Sequence, residues 1–512
     1  MQTVPGLAFT EKLLNAFARR HWLLQWLIVS IAALVLYAPI IGNSFVNDDF
    51  LVLKKVCIDG QLNTKGFFRP LSDITLYGNY LLAGFDPVFY HITNIIVHAL
   101  NSLLLFHFCL RWPALSINAR QPIYAAVAAL LFLTYPFHNE PVVWSLGRAS
   151  LLAGTFAFLA LVCLVSNWRE PWKLITVAIC YYVALSGYES VMVLPGIVFV
   201  WSLSKKAPVK RITTWMMVLA LTLAAHFVTR ILVSGSVTGD YGSNFLGQDW
   251  MAPFGNAVKV TGRLFLPPVK DPVIFLVLLG IIVVMMTALV IKFWKKTAGN
   301  KSSRAHFLYL GAALILSLLL PFMTGLSTNT SESDRFLYVP SFFFCAMGAF
   351  LLLHLLYNRY LIALVAVILV YNIVFLTLNN LNWRKASAAV TGIIDIVKQK
   401  RATGNLYIVN MPDQIDGAYV FRVGFTDALL VNQLDTASVK LVNAVEMRDL
   451  EKIPVISHQS ANGTIFIPPA VELRQAGKPG NAGDTKNKNR LVSVTASDQV
   501  VYWNKHRWVL LQ

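Results

Sequence analysis

Long apolar runs separated by short polar connections dominate the first 380 residues. A membrane-spanning helix needs about 20 mostly apolar residues. On that measure eleven runs qualify, near 22–42, 88–110, 122–136, 149–166, 173–187, 190–204, 212–234, 272–291, 305–323, 336–357 and 360–379. The third, fifth and sixth are the shortest. Arg19, Arg20 and His21 precede the first run as they would a signal peptide. The run is too long for one, however, and no Ala-x-Ala-like site follows, so it reads as an anchor. Past residue 380 the pattern shortens. Leu406-Tyr-Ile-Val, Thr464-Ile-Phe-Ile, Leu491-Val-Ser-Val and Val500-Val-Tyr-Trp read as strands, 417–433 as a helix and 475–489 as a flexible loop. No internal repeat is visible. The pattern predicts a polytopic α-helical membrane protein of about eleven transmembrane helices with a small C-terminal α+β domain. Its expected segments are 1–21, a membrane module over 22–379 with a first loop at 43–87, and the domain at 380–512.

Composition agrees. Hydrophobic residues make up 56% of the 512 and charged residues only 13%, against roughly 25% charged in soluble domains. The net charge of +18 raises the question of nucleic acid, but the tail after residue 380 carries 16 Lys/Arg against 11 Asp/Glu, without a dense basic run. Most of the excess sits between apolar runs, where it orients a protein in a bilayer. Alternating the connections gives one set with 17 Lys/Arg in 62 residues and another with 9 in 108. The denser set, with Lys205-Lys206 and Lys295-Lys296, belongs in the cytoplasm. The N-terminus is then cytoplasmic, and an odd span count puts the tail outside. Of the 14 carboxylates before residue 380, only Glu11 and Glu170 fall on the cytoplasmic side. Any carboxylate chemistry therefore belongs to the outer face. The five cysteines have no metal-ligand spacing and the tail has none, so no disulfide framework supports it.

The residues able to do chemistry gather at that face. Asn47-Asp48-Asp49 follows the first run. Adjacent carboxylates there can hold a divalent ion, or one can act as general base while the other orients it. The same pattern fits a solvated loop or the cap of a short helix starting near Phe50. In the same loop, Phe67-Phe68-Arg69-Pro70-Leu71 leads into an amphipathic stretch from Asp73, suited to the membrane interface. His91, Asn94, His98 and Asn101 share one helix face, and hydrogen bonding between packed helices explains the last three best. His138-Asn139-Glu140 with Trp144 and Arg148, Tyr188-Glu189, and Asp334-Arg335 up to Tyr338 each place mixed charges at a run boundary. Each fits a helix-end salt bridge. Together with Arg69 they also suit a grip on a lipid phosphate while a sugar is transferred.

The order of these motifs resembles the protein O-mannosyltransferase superfamily of GT-C glycosyltransferases. It is most similar to the transmembrane O-mannosyltransferases with tetratricopeptide repeats and their bacterial relatives. The series runs Phe45-Val-Asn-Asp48-Asp49, Arg69-Pro-Leu-Ser, Asn79-Tyr through Tyr90-His91 to Asn101, Pro136-x-His138-x-Glu140 to Gly147-Arg148, Asp334-Arg335-Phe-Leu-Tyr338, and Asn382-Trp383-Arg384. It covers about residues 22–385. Where relatives often read Ser-Lys-Glu, this chain has Gly187-Tyr188-Glu189, and its tail lacks a tetratricopeptide pattern.

The resemblance implies a GT-C-like membrane module and transfer of a sugar from a polyprenyl-phosphate donor on the extracytoplasmic face. It implies Asp48 and Asp49 as catalytic acids, which would also be the ligands if a metal takes part. Arg69, Arg148 and Arg335 are the expected phosphate donors, with His91, His138, Glu140, Glu189 and Tyr338 shaping the pocket. A glycan, lipid or protein acceptor and a bacterial inner membrane are expected, and nucleic acid is not. Three other readings stay open: a transporter or flippase of a lipid-linked glycan, a ligase using a pyrophosphate-linked donor, and a non-catalytic assembly protein.

Overall fold

A computed structural model describes residues 5–62, 68–112, 120–235, 251–356, 358–400, 404–445, 457–459, 464–467, 490–493, 495 and 497–511. Phe67, Asp240, Asp249 and the loop expected over 475–489 lie outside these residues. The chain divides into two compact units. One comprises 1–41 and 61–380; the other comprises 42–60 and 381–512.

The first unit is helical. Among the described residues seven helices are long and apolar enough to cross a membrane, or up to eight if the pair Lys12–Ala18 and Trp22–Leu36, bent by 116°, is one span. The expected third, fifth and sixth spans are the short helices Gln121–Leu133, Glu170–Leu185 and Leu194–Ser204, so helix length alone does not confirm the count of eleven. Pro87–Arg111 shows how sequence sets such an element. The Asp86 side chain accepts from the Val88 N–H at 3.1 Å and Pro87 occupies the first turn, where its missing N–H costs nothing. Its 25 residues extend roughly 37 Å at about 1.5 Å per residue.

Pro87–Arg111, Ser145–Leu164 and Asp334–Leu355 are mostly buried, whereas Val209–Ser234, Pro272–Lys296 and Tyr360–Lys398 expose most of their apolar surface. The first three make the core and the others present a lipid-facing rim. Phe158 stacks on Phe342 at 4.1 Å, and Phe132 packs edge-on against both and against His138 and Tyr338. The polar face of Pro87–Arg111 is spent on neighbours. Asn94 Nδ2 donates to Val142 O and Trp144 O, Asn101 Nδ2 to Leu151 O, and His98 pairs with Leu133 O and the Tyr338 hydroxyl.

The final helix runs over Asn358–Lys398 and so continues well past the expected end at 379. No proline interrupts 380–398 and only Gly392 weakens it; the change in hydropathy marks a change of solvent, not a helix stop. Within the first unit, Asn372, Asn379 and Asn380 bond to Thr134, Pro136 and Asn139.

In the second unit a four-stranded sheet is ordered Trp508–Leu511, Gln499–Trp503, Leu406–Val409, Val439–Leu441. Leu406–Val409 is parallel to both neighbours, with Leu406 opposite Gln499 on one side and Val439 on the other. Gln499–Trp503 and Trp508–Leu511 are antiparallel. The Trp508 indole donates to Ala389 O at 2.8 Å, which ties this sheet to the last turns of the long helix. A separate antiparallel sheet pairs Ser457–Gln459, Thr464–Ile467 and Arg490–Ser493. The helix expected over 417–433 is confined to Phe425–Val431. Gly417 and Gly424 both have positive φ, and Ala418–Tyr419 pairs as a strand with Gln414–Ile415.

One buried ion pair in the first unit is a stability test. Arg263 Nη2 contacts both Asp334 oxygens at 2.7 Å, and both side chains are shielded from solvent. Arg263→Met leaves a buried carboxylate unpaired and is expected to cost about 3–5 kcal/mol, whereas Arg263→Met with Asp334→Leu recovers most of that. Thermal unfolding in detergent reads both.

Candidate functional site

In the first unit, two arginines converge on Tyr188. Arg69 precedes the helix Pro70–Ala83, and its neighbour Leu71 donates its N–H to Ser186 O at 3.2 Å, which holds that helix start beside the 186–189 turn. The Arg69 guanidinium then lies 4.5 Å from the centroid of the Tyr188 ring, with Nη2 3.5 Å from Glu189 Oε2. Arg335 approaches from the turn Asp334–Leu337 and donates from Nε to the Tyr188 hydroxyl at 3.3 Å. Its Nη1 pairs with Glu140, and its backbone N–H donates to the same carboxylate at 2.8 Å. Glu140 is fully buried, while the side chains of Arg69 and Arg335 are 21% and 18% exposed. Two partly exposed guanidiniums that share one aromatic residue are suited to grip a phosphate.

The short helix Asn139–Val143 places Glu140, and it needs Gly147. A Cβ there would lie 2.4 Å from Glu140 O and 2.7 Å from Pro141 O. That close return also sets the next residue, Arg148, but the structure buries Arg148 completely. Its Nε donates to Asn94 Oδ1, Nη1 to Thr75 O and Asn79 Oδ1, and Nη2 to Tyr90 O. Four of its five N–H groups are therefore committed to the protein. Arg148 bolts three helices together and is not grouped with Arg69 and Arg335. His138, also fully buried, bonds through Nε2 to Ser341 Oγ at 2.7 Å. The Tyr338 hydroxyl accepts from Asn101 Nδ2 at 2.9 Å and pairs with His98 Nδ1 at 3.0 Å. His91 is buried in the first turns of Pro87–Arg111.

The acidic pair belongs to the second unit. Asn47 has a φ of +52°, a conformation asparagine tolerates better than most residues. Its N–H donates to Val420 O at 2.7 Å, and its Oδ1 accepts from the N–H groups of Arg422 at 2.9 Å and Val423 at 3.0 Å. The loop thus sits on the segment that the sequence assigned to a helix. Gly424, with a φ of +82°, lets the two approach, since a Cβ there would be 2.6 Å from Asn47 O. Asp49 is buried and its Oδ2 accepts from the Val46 N–H at 3.0 Å. Asp48 is partly open and accepts from Asn47 Nδ2 at 2.7 Å. The two neighbours therefore differ: Asp49 is buried and closes its own loop, whereas Asp48 is half-buried. Farther along, Lys54 binds Asp59 at 2.8 Å, which raises the Lys54 pKa. Burial lifts the Asp427 carboxyl above its ordinary range, against the pull of Lys54. Among the described residues no group of three His, Cys, Asp or Glu is placed to hold a metal.

Sequence reasoning missed Arg230, Arg263 and the bridging role of Tyr188. Arg230 Nη1 meets Glu189 Oε1 at 3.3 Å, so Glu189 serves two arginines. The available signal was an arginine inside the apolar run 212–234, which needs a partner at that depth.

No family model matches the chain. The protein O-mannosyl-transferase TMTC3 of Mus musculus is 39% identical over 104 residues, which is 20% of this chain and 10% of that protein. TMTC4 of Homo sapiens is 34% identical over 114 residues, 21% of this chain and 15% of that one. Xenopus laevis tmtc2 is 33% identical over 100 residues, 20% and 11% respectively. The chain thus matches between 10% and 15% of the length of these relatives. A crystal structure of ArnT from Cupriavidus metallidurans bound to undecaprenyl phosphate is 14% identical, with a TM-score of 0.48 over 88% of this chain and 93% of that one. The fold defines a polytopic helical membrane protein with a small strand-containing C-terminal unit. Its sequence resembles the transmembrane O-mannosyltransferases over about a fifth of its length.

Asn47→Ala removes the acceptor of two backbone N–H groups, at about 1–3 kcal/mol for each donor left unsatisfied. Hydrogen exchange at Arg422 and Val423 is expected to accelerate, with exchange in Pro87–Arg111 unchanged.

Proposed function

We propose that this protein is an integral-membrane glycosyltransferase that moves a sugar from a polyprenyl-phosphate donor to an acceptor hydroxyl on the extracytoplasmic face. The observation that carries the reading is the Arg69–Tyr188–Arg335 arrangement, in which two partly exposed cations meet one aromatic residue and are held by Glu189 and Glu140. A phosphate leaving group develops charge as its bond to the anomeric carbon breaks, and fixed guanidiniums stabilise that charge. An apolar chamber of about 360 Å³, lined by Phe137, Leu264, Met285, Phe344 and Leu351 among others, supports a donor carried on a hydrocarbon chain. The likeness to named O-mannosyl-transferases supports glycosyl transfer as the chemistry.

In this reading the acceptor oxygen attacks the anomeric carbon while Asp48 takes its proton. The bond from that carbon to the phosphate oxygen breaks, and the polyprenyl phosphate departs on Arg69 and Arg335. A single displacement inverts the anomeric centre. Asp48 is half-buried whereas Asp49 is buried and accepts from the Val46 N–H, which favours Asp48 as the base. Arg148 acts as a positioning residue through Asn94, Asn79 and Tyr90. The segment 1–21 is cytoplasmic, 22–379 is the membrane module, 380–512 is an extracytoplasmic domain, and the membrane is a bacterial inner membrane.

Purified protein supplied with a polyprenyl-phosphate sugar and an acceptor tests this. Loss of a general base costs about 100- to 10,000-fold in rate, so Asp48→Asn is expected to lose transfer on that scale with an unchanged melting temperature. Asp49→Asn is expected to lower the melting temperature as well. Full transfer by both variants would end the catalytic assignment. Consumption of the donor separates transfer from flipping, which leaves the donor intact.

A further inference from the structure

The helices Glu170–Leu185 and Val209–Ser234 pack together. At their Lys/Arg-rich end they leave a cleft of about 280 Å³ whose walls include Glu170, Leu174, Lys210, Arg211, Thr214 and Trp215. The one carboxylate in this wall is fully engaged. Arg211 binds it through Nε and Nη2, both at 2.6 Å, and the Trp215 indole adds a third donor at 2.8 Å. Lys210 lies on the cleft wall, and Lys173 is close enough to Glu170 and Arg211 for each to act on its charge. The local balance is therefore cationic.

The surroundings are graded in polarity. Lys210, Thr214, Met217 and Leu221 are spaced by four, three and four residues, which is one helix face. Met217 and Leu221 expose apolar surface along that face, as Ile175 and Ile179 do on the facing helix. Trp168 and Trp172, two residues either side of Glu170 in the sequence, are exposed, as aromatic residues are at a membrane–water interface. Cations on the cleft, exposed indoles near Glu170 in the sequence and exposed apolar side chains farther along both helices match a phospholipid from head group to chain. Basic pockets between transmembrane helices bind anionic head groups.

We propose that this cleft holds the head group of an anionic phospholipid, with an acyl chain laid along Ile175, Ile179, Met217 and Leu221. In the proposed orientation this is a cytoplasmic-leaflet site, separate from the Tyr188 cluster. The proposal stands whether or not the protein transfers sugar.

Full-length protein in detergent, given phosphatidylglycerol or phosphatidylcholine, tests it by native mass spectrometry and melting temperature. Wild type is expected to retain phosphatidylglycerol selectively and to melt higher with it. Lys173→Gln with Lys210→Gln leaves the Glu170–Arg211 pair intact. It is expected to lower that retention about fivefold per lysine, about thirtyfold together, with the lipid-free melting temperature unchanged. No preference between the two lipids in wild type, or equal retention by the variant, would overturn the proposal. Equal protection by inorganic phosphate would overturn its lipid part, because the acyl track would then contribute nothing.

Discussion

A guanidinium drawn away from water persists only beside an acceptor that matches its charge or its donors. The pairing of Glu140 with Arg335 is the case on which the helical unit's site depends. Glu140 is fully buried and engages Arg335 twice, through the side chain and through the backbone N–H. The second bond fixes the turn itself, so the arginine is anchored at its root as well as its tip. Tyr188 then passes that placement to Arg69, whose own acid, Glu189, is shared with Arg230. Three arginines, two carboxylates and one phenol form a single connected group. Its partners are arranged so that Arg69 and Arg335 keep some open surface while Arg230 has little.

The contrast with Arg148 gives this group its meaning. Both kinds of arginine lie at run boundaries in the sequence and look alike there. In the folded chain Arg148 donates to side-chain amides and backbone carbonyls. Arg263 shows a third solution, a buried bidentate pair with Asp334 directly before Arg335. The same residue type thus serves as bolt, latch and partly exposed cation, and only packing tells these apart. In the second unit the neighbouring aspartates divide in the same manner, with Asp49 closing a turn and Asp48 left partly exposed.

Much of the architecture was legible because hydropathy speaks directly about solvent. The apolar runs fall on helices, and the strands over Leu406–Val409, Thr464–Ile467 and Gln499–Trp503 lie where alternation placed them. Element ends were less legible. Helix Asn358–Lys398 continues through Arg384, Lys385 and Asp395 because charge alters solvation without breaking the backbone. The helix expected over 417–433 shortens because Gly417 and Gly424 adopt positive φ and the intervening segment bonds to Asn47. That long-range use of Asn47 has no local signature. Glu140 and Arg335 were visible as residues, but a pairing across 195 positions is a property of the packed helices alone. Tyr188 stood out in the sequence only as a departure from the resembled family's pattern, and the structure makes it the bridge between Arg69 and Arg335.

The central claim is that Arg69 and Arg335 together hold a lipid phosphate. The most direct measurement is equilibrium binding of a short-chain polyprenyl phosphate to the purified protein and to an Arg69→Gln, Arg335→Gln variant. Charge-assisted contacts are worth about 1.5–3 kcal/mol each. Loss of both is therefore expected to weaken binding by about a hundredfold or more while helical content is retained. Equal affinity in a folded variant would contradict the account.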